Sequence, residues 1–78
     1  MSINIKINEQ ELLNSRNRLT QQKKELEEFT QNSDANIIVK KQAILATIAE
    51  IQSNSEYINI YTELERAQLD EYKASITI

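Results

Sequence analysis

The sequence predicts a mostly α-helical fold, an antiparallel helical hairpin or three-helix bundle of coiled-coil type, with short β-strands at both termini. Three observations carry this. The 78 residues include no Gly and no Pro, which most strand-rich folds need at their turns, whereas helical hairpins turn on Asn, Ser and Asp. Large aliphatic residues recur every seven positions, at Leu12, Leu19 and Leu26 and again at Ile37, Ile44 and Ile51, a spacing that keeps one helix face apolar. Between the runs, "TQNSDAN" (30–36) and "QSNS" (52–55) carry turn chemistry.

The elements follow in order within one small domain, 1–78. In "SINIKIN" (2–8), Ser2, Asn4, Lys6 and Asn8 alternate with Ile3, Ile5 and Ile7, the period of a strand over 2–7. Asn8 with Glu11 then reads as a capping box, flanked by Ile7 and Leu12 as a hydrophobic staple, and opens a helix over about 9–31. Its apolar face is thin, one leucine per two turns. A reversal at about Ser33 leads into a second helix over about 35–52, the most hydrophobic element, with Ile48 joining the heptad face and Ile38 and Leu45 widening it. A hairpin turning at Ser33 sets opposite each other positions whose numbers sum to about 67, Leu19 against Ile48 for example. Ser53 followed by Glu56 has capping-box spacing for a third helix over about 55–73, the alternative being one rod continuous with the second. At ~100° per residue that helix carries Tyr57, Tyr61, Leu64, Gln68 and Tyr72 on one face. "SITI" (75–78) closes the chain as the other candidate strand.

Three antiparallel helices leave the two ends of the chain at opposite ends of the bundle, ~30 Å apart for helices of about 20 residues. Pairing of Ile3, Ile5 and Ile7 with Ile76 and Ile78 is therefore expected between subunits, or against a partner's sheet edge, the alternative being that both ends fray or continue the helices.

Composition bounds the function. A chain this short buries only about 60–65% of the surface its unfolded form exposes, and without Cys or His it has neither disulfide nor zinc to reinforce it. Association is the remaining reinforcement, so a homo-oligomer, a dimer first, is expected. The longest apolar runs, "IIV" (37–39) and "AILA" (43–46), are too short for a membrane span or a signal-peptide core, so a cytoplasmic protein without membrane attachment is the expectation. Twelve Ile and eight Asn are a skew that AT-rich coding sequence produces, as in low-GC bacteria, their phages and mobile elements.

The composition excludes most catalytic chemistry. Absent His and Cys remove the common general bases and thiol nucleophiles, and absent Gly removes phosphate-cradling loops and nucleophile elbows. No catalytic, cofactor-binding or metal-ligating residue is assigned. Arg16, Arg18, Lys23 and Lys24 form the one basic cluster, spread around a helix, lacking interleaved aromatics and followed by Glu25, Glu27 and Glu28. With the net charge of −3, this argues against nucleic acid as a partner. From Gln42 onward six acids face only Arg66 and Lys73, so Glu63, Glu65, Asp70 and Glu71 form either a solvated acidic face or an imitation of a phosphate backbone. The tyrosines are either bundle core, the preferred reading, with Tyr57 outermost, or an interaction hot spot. The expected function is a non-enzymatic protein–protein interaction module acting by helix-face docking or self-association, a scaffold, adaptor or inhibitor, with Tyr57, Tyr61, Glu63, Glu65, Asp70 and Glu71 as partner-binding candidates. The alternative is an acidic phage or mobile-element inhibitor that mimics nucleic acid and blocks a nucleic-acid-binding protein.

Overall fold

A computed structural model describes residues 2–28 and 34–77, with side chains over 6–28 and 36–77. Helix α1 runs Ser2–Glu28, α2 Asp34–Ser53, the single turn α3 Tyr57–Ile60 and α4 Glu63–Ile76. Among the described residues there is no strand.

The heptads place the core. Leu12 and Leu19 of α1 and Ile44, Ile48 and Ile51 of α2 are buried, Leu26 and Leu45 pack at the margin, and Tyr57, Tyr61, Leu69 and Ile76 close the cluster from α3, its C-cap and α4. Four of these side chains, Leu12, Ile44, Ile48 and Ile51, are fully buried. Burial of this kind, worth ~1.5–3 kcal/mol per large aliphatic side chain, offsets the lower helix propensity of isoleucine-rich α2. Thr47, the buried polar residue of α2, donates its hydroxyl to the Ala43 carbonyl and accepts Arg18 Nε at 3.3 Å. Arg18 also pairs with Glu50. Thr47 and Glu50 flank Ala49, the position opposite Arg18 in the expected register, so α1 and α2 form the antiparallel hairpin. Of the turn expected over 30–36, residues 30–33 lie outside the described residues and 34–36 already belong to α2.

The strand expected over 2–7 is instead the first two turns of α1. A strand needs a neighbouring ladder for its N–H and C=O groups, whereas a helix satisfies them within the segment. Isoleucine costs a helix only tenths of a kcal/mol (~0.5) per residue, so alternation of side chains could not hold the segment extended. Ile7 is exposed on α1. At the other end Ser75 and Ile76 complete α4, Ile76 is buried in the chain's own core, and Ile78 lies outside the described residues. Asn8 is likewise inside a helix and caps nothing. Its Nδ2 donates to Ser55 Oγ at 2.8 Å and its carbonyl accepts Asn54 Nδ2 at 3.0 Å, which clasps α1 to the turn after α2.

That turn, residues 54–56, separates the second and third helices and removes the continuous rod. Asn54 Oδ1 accepts the Glu56 amide at 2.8 Å and the Tyr57 amide donates to the Asn54 carbonyl at 3.0 Å. Ser53, expected as a cap, bonds back to the Glu50 carbonyl. The third helix is also not one piece. It breaks at Tyr61, whose backbone is extended (φ −85°, ψ 135°), and restarts at Thr62, the N-cap of α4. Thr62 Oγ1 accepts the Glu65 amide at 3.1 Å, and Glu65 Oε1 accepts the Thr62 amide at 2.9 Å. Arg66 Nη1 covers the carbonyls that the break frees, donating to Tyr61 O at 2.9 Å and Ile58 O at 3.3 Å.

Contacts at Arg16 with Glu65 and at Lys23 with Tyr72 advance by seven residues on both helices, so α4 lies beside α1 in the same direction. Gln52, at the end of α2, donates to Asp70 at 2.8 Å and accepts Lys73 at 3.4 Å. The molecule measures 47 × 21 × 17 Å. Asn8 lies at the α2–α3 turn and Tyr72 beside Lys23, so the chain begins and finishes towards opposite ends, as three alternating helices require.

Candidate functional site

The side chains with most chemistry collect along the seam between α1 and α4, because the break at Tyr61 and Thr62 sets α4 against the basic middle of α1. Arg16 Nη2 donates to Glu65 Oε2 at 2.7 Å and its guanidinium lies 4.8 Å above the Tyr61 ring. Two turns along, Lys23 Nζ lies 4.5 Å above the Tyr72 ring. Both are cation–π distances. Tyr61 in turn packs on Tyr57, with ring centroids 5.0 Å apart and planes tilted by 49°. Between the two cations is a groove of about 190 Å³ with Leu19 and Leu69 as its floor.

Electrostatics follow from these contacts. The Thr62 backbone N–H holds the Glu65 carboxyl below its ordinary range, helped by the Arg16 charge. Burial raises the Tyr61 hydroxyl, against the opposing pull of Arg16, and burial together with the Glu27 charge raises Tyr72.

The expected partner-binding residues are not brought together. Tyr57 and Tyr61 are 9% and 7% exposed, so both rings belong to the core, and the placement of Tyr57 as the outermost tyrosine is corrected. Its hydroxyl has no hydrogen-bond partner among the described residues. Glu63, Asp70 and Glu71 are exposed, but Glu65 turns inward to Arg16 and Asp70 accepts from Gln52. At ~100° per residue Glu65 points about 160° away from Glu63, so the four acids do not share one row. The basic cluster divides in the same way. Arg16 and Arg18 have carboxylate partners, Lys23 lies on Tyr72 and Lys24 is exposed.

Two features escaped the sequence reading. Thr62 and Glu65 make a capping box whose signal, Thr followed three residues later by Glu, is present in "TELE", but Ser53 and Glu56 carry the same pattern nine residues earlier. The clasp of Asn8 with Asn54 and Ser55 has no local signal, since its partners are 46 and 47 residues apart.

Among the described residues, no helix is long and apolar enough to cross a membrane and no three of His, Cys, Asp or Glu are grouped to hold a metal ion. Comparison with protein-family models, curated proteins and solved structures finds no match to the chain.

Proposed function

We propose that the chain is a non-enzymatic interaction module that docks through its helix faces, first on a second copy of itself, as a dimer. One observation supports the reading above others: large apolar side chains stay outside the core of a chain that has no disulfide or zinc to reinforce it. Val39 is 63%, Ile58 70% and Leu64 67% exposed, with Ile38 beside Val39 on α2. Ile58 and Leu64 flank the break whose freed carbonyls Arg66 bonds. Single exposed aliphatics are ordinary, but several on the helices of one short chain are apolar surface that an interface can use. With this reading goes a cytoplasmic setting, where a chain without Cys loses nothing to reducing conditions.

Acidic mimicry of nucleic acid has less behind it, because Glu65 and Asp70 already accept hydrogen bonds within the chain. Light scattering across a salt series separates the two readings. Apolar docking gives a dimer whose mass is unchanged from low to high salt, and Val39→Asp with Ile58→Asp returns it to monomer. A monomer at every salt concentration that binds a cationic nucleic-acid-binding protein only at low salt contradicts the docking reading.

A further inference from the structure

We propose that the groove between α1 and α4 is a binding site for a small organic monoanion with an apolar ring, an aromatic carboxylate in its simplest form. Arg16 is matched by Glu65 at 2.7 Å, and both Glu65 oxygens are engaged, Oε2 by Arg16 and Oε1 by the Thr62 amide. Lys23 has no carboxylate partner among the described residues. Its contact is the Tyr72 ring beneath it at 4.5 Å, which fixes the ammonium while leaving its N–H donors unspent. Gln68, exposed on the opposite wall, makes no hydrogen bond through its amide among the described residues either. The groove therefore carries one cation without an ion-pair partner among the described residues, its charge partly offset by Glu27 on the same helix, and one unspent amide donor.

Its floor points to the rest of the ligand. Leu19 and Leu69 are each 6% exposed, and the Tyr72 ring forms the wall at the Lys23 end. A carboxylate on Lys23 Nζ and the Gln68 amide would lay its ring on the two leucines. The volume of about 190 Å³ corresponds to roughly six waters at ~30 Å³ each, enough for one ring with one acid group. Thr20 does not compete, because its hydroxyl bonds to the Arg16 carbonyl at 3.1 Å. Glu27, whose charge is felt at Tyr72, is the acid that opposes an incoming anion at this end.

The site is independent of the docking reading, so the oligomeric state can fail without affecting it. The test is a titration of benzoate into isotope-labelled protein at physiological salt, followed by amide chemical shifts, with benzyl alcohol and benzylammonium as neutral and cationic counterparts. Benzoate is expected to shift Lys23, Gln68, Leu69 and Tyr72 saturably with a millimolar dissociation constant, benzyl alcohol to bind more weakly and benzylammonium not to bind. Lys23→Gln should weaken benzoate about tenfold, the loss of one charge-assisted hydrogen bond at a partly wet site. Lys23→Arg and Lys24→Gln should retain binding, and Glu27→Gln should tighten it, each variant first shown by circular dichroism to be helical. Shifts that fail to saturate, that are equal for benzyl alcohol, or that survive Lys23→Gln would overturn the site.

Discussion

Thr62 sets where α4 begins. Its hydroxyl and the Glu65 carboxylate cap each other's backbone amides, and Glu65 then carries α4 to Arg16. Thr62→Ala should cost about 0.5–2 kcal/mol in urea unfolding, and Thr62→Asp should restore most of it. The depressed Glu65 pKa gives a signed pH dependence. Its contribution is complete above the ordinary carboxylate value of the unfolded chain and is lost as pH falls through the lower folded value. Glu65→Gln should flatten that acid limb of the stability curve. Tyr61 acts in the opposite sense. Its raised pKa gives stability that is complete below the unfolded value of 10.0 and lost as pH rises through the higher folded one. Tyr57 supplies a contrast, since its buried hydroxyl has no partner among the described residues. Tyr57→Phe removes no hydrogen bond made among the described residues and should change the unfolding free energy by less than about 1 kcal/mol. Burial of Tyr57 and Tyr61 agrees with the core reading of the tyrosines, but the single face expected for Tyr57, Tyr61, Leu64, Gln68 and Tyr72 does not form, because the break at Tyr61 and Thr62 resets the helix and leaves Leu64 and Gln68 exposed.

At the scale of elements, the seven-residue period was legible because it is a property of one helix. Leu12, Leu19, Ile44, Ile48 and Ile51 are buried as their spacing requires. Ile48→Ala should therefore cost about 2–5 kcal/mol, whereas Gln42→Ala, at an exposed position of the same helix, should stay within about 0.5 kcal/mol, both by chemical denaturation. The break between α3 and α4 was harder to see. With no Gly or Pro to mark it, two Ser/Thr-to-Glu pairs competed, and the one at Thr62 won because Arg66 covers the carbonyls freed at Ile58 and Tyr61. Removing that cover with Arg66→Ala should lower the melting temperature, while Arg66→Lys should recover only part of it, since one ammonium is a poor replacement for a planar fork of donors. The strand reading of 2–7 failed for the complementary reason: its period was real, but a strand depends on a neighbour, and the described residues contain none.

The whole molecule is a rod of 47 × 21 × 17 Å whose core draws on every element. The hairpin register was readable because turn chemistry at 30–36 and two matched heptads constrain it together. The α1–α4 groove was not, because it depends on where α4 restarts and pairs Arg16 with Glu65 across 49 positions. What the fold leaves outside, Ile38 with Val39 and Ile58 with Leu64, gives the docking proposal its substance. A 78-residue chain with neither disulfide nor zinc has little stability to spare, and mass action then links folding to association. Sedimentation equilibrium with circular dichroism over a dilution series measures both at once. The account predicts a dimer at micromolar concentration that loses helix as it dissociates towards nanomolar concentration. A monomer that stays fully helical across the whole series would contradict it.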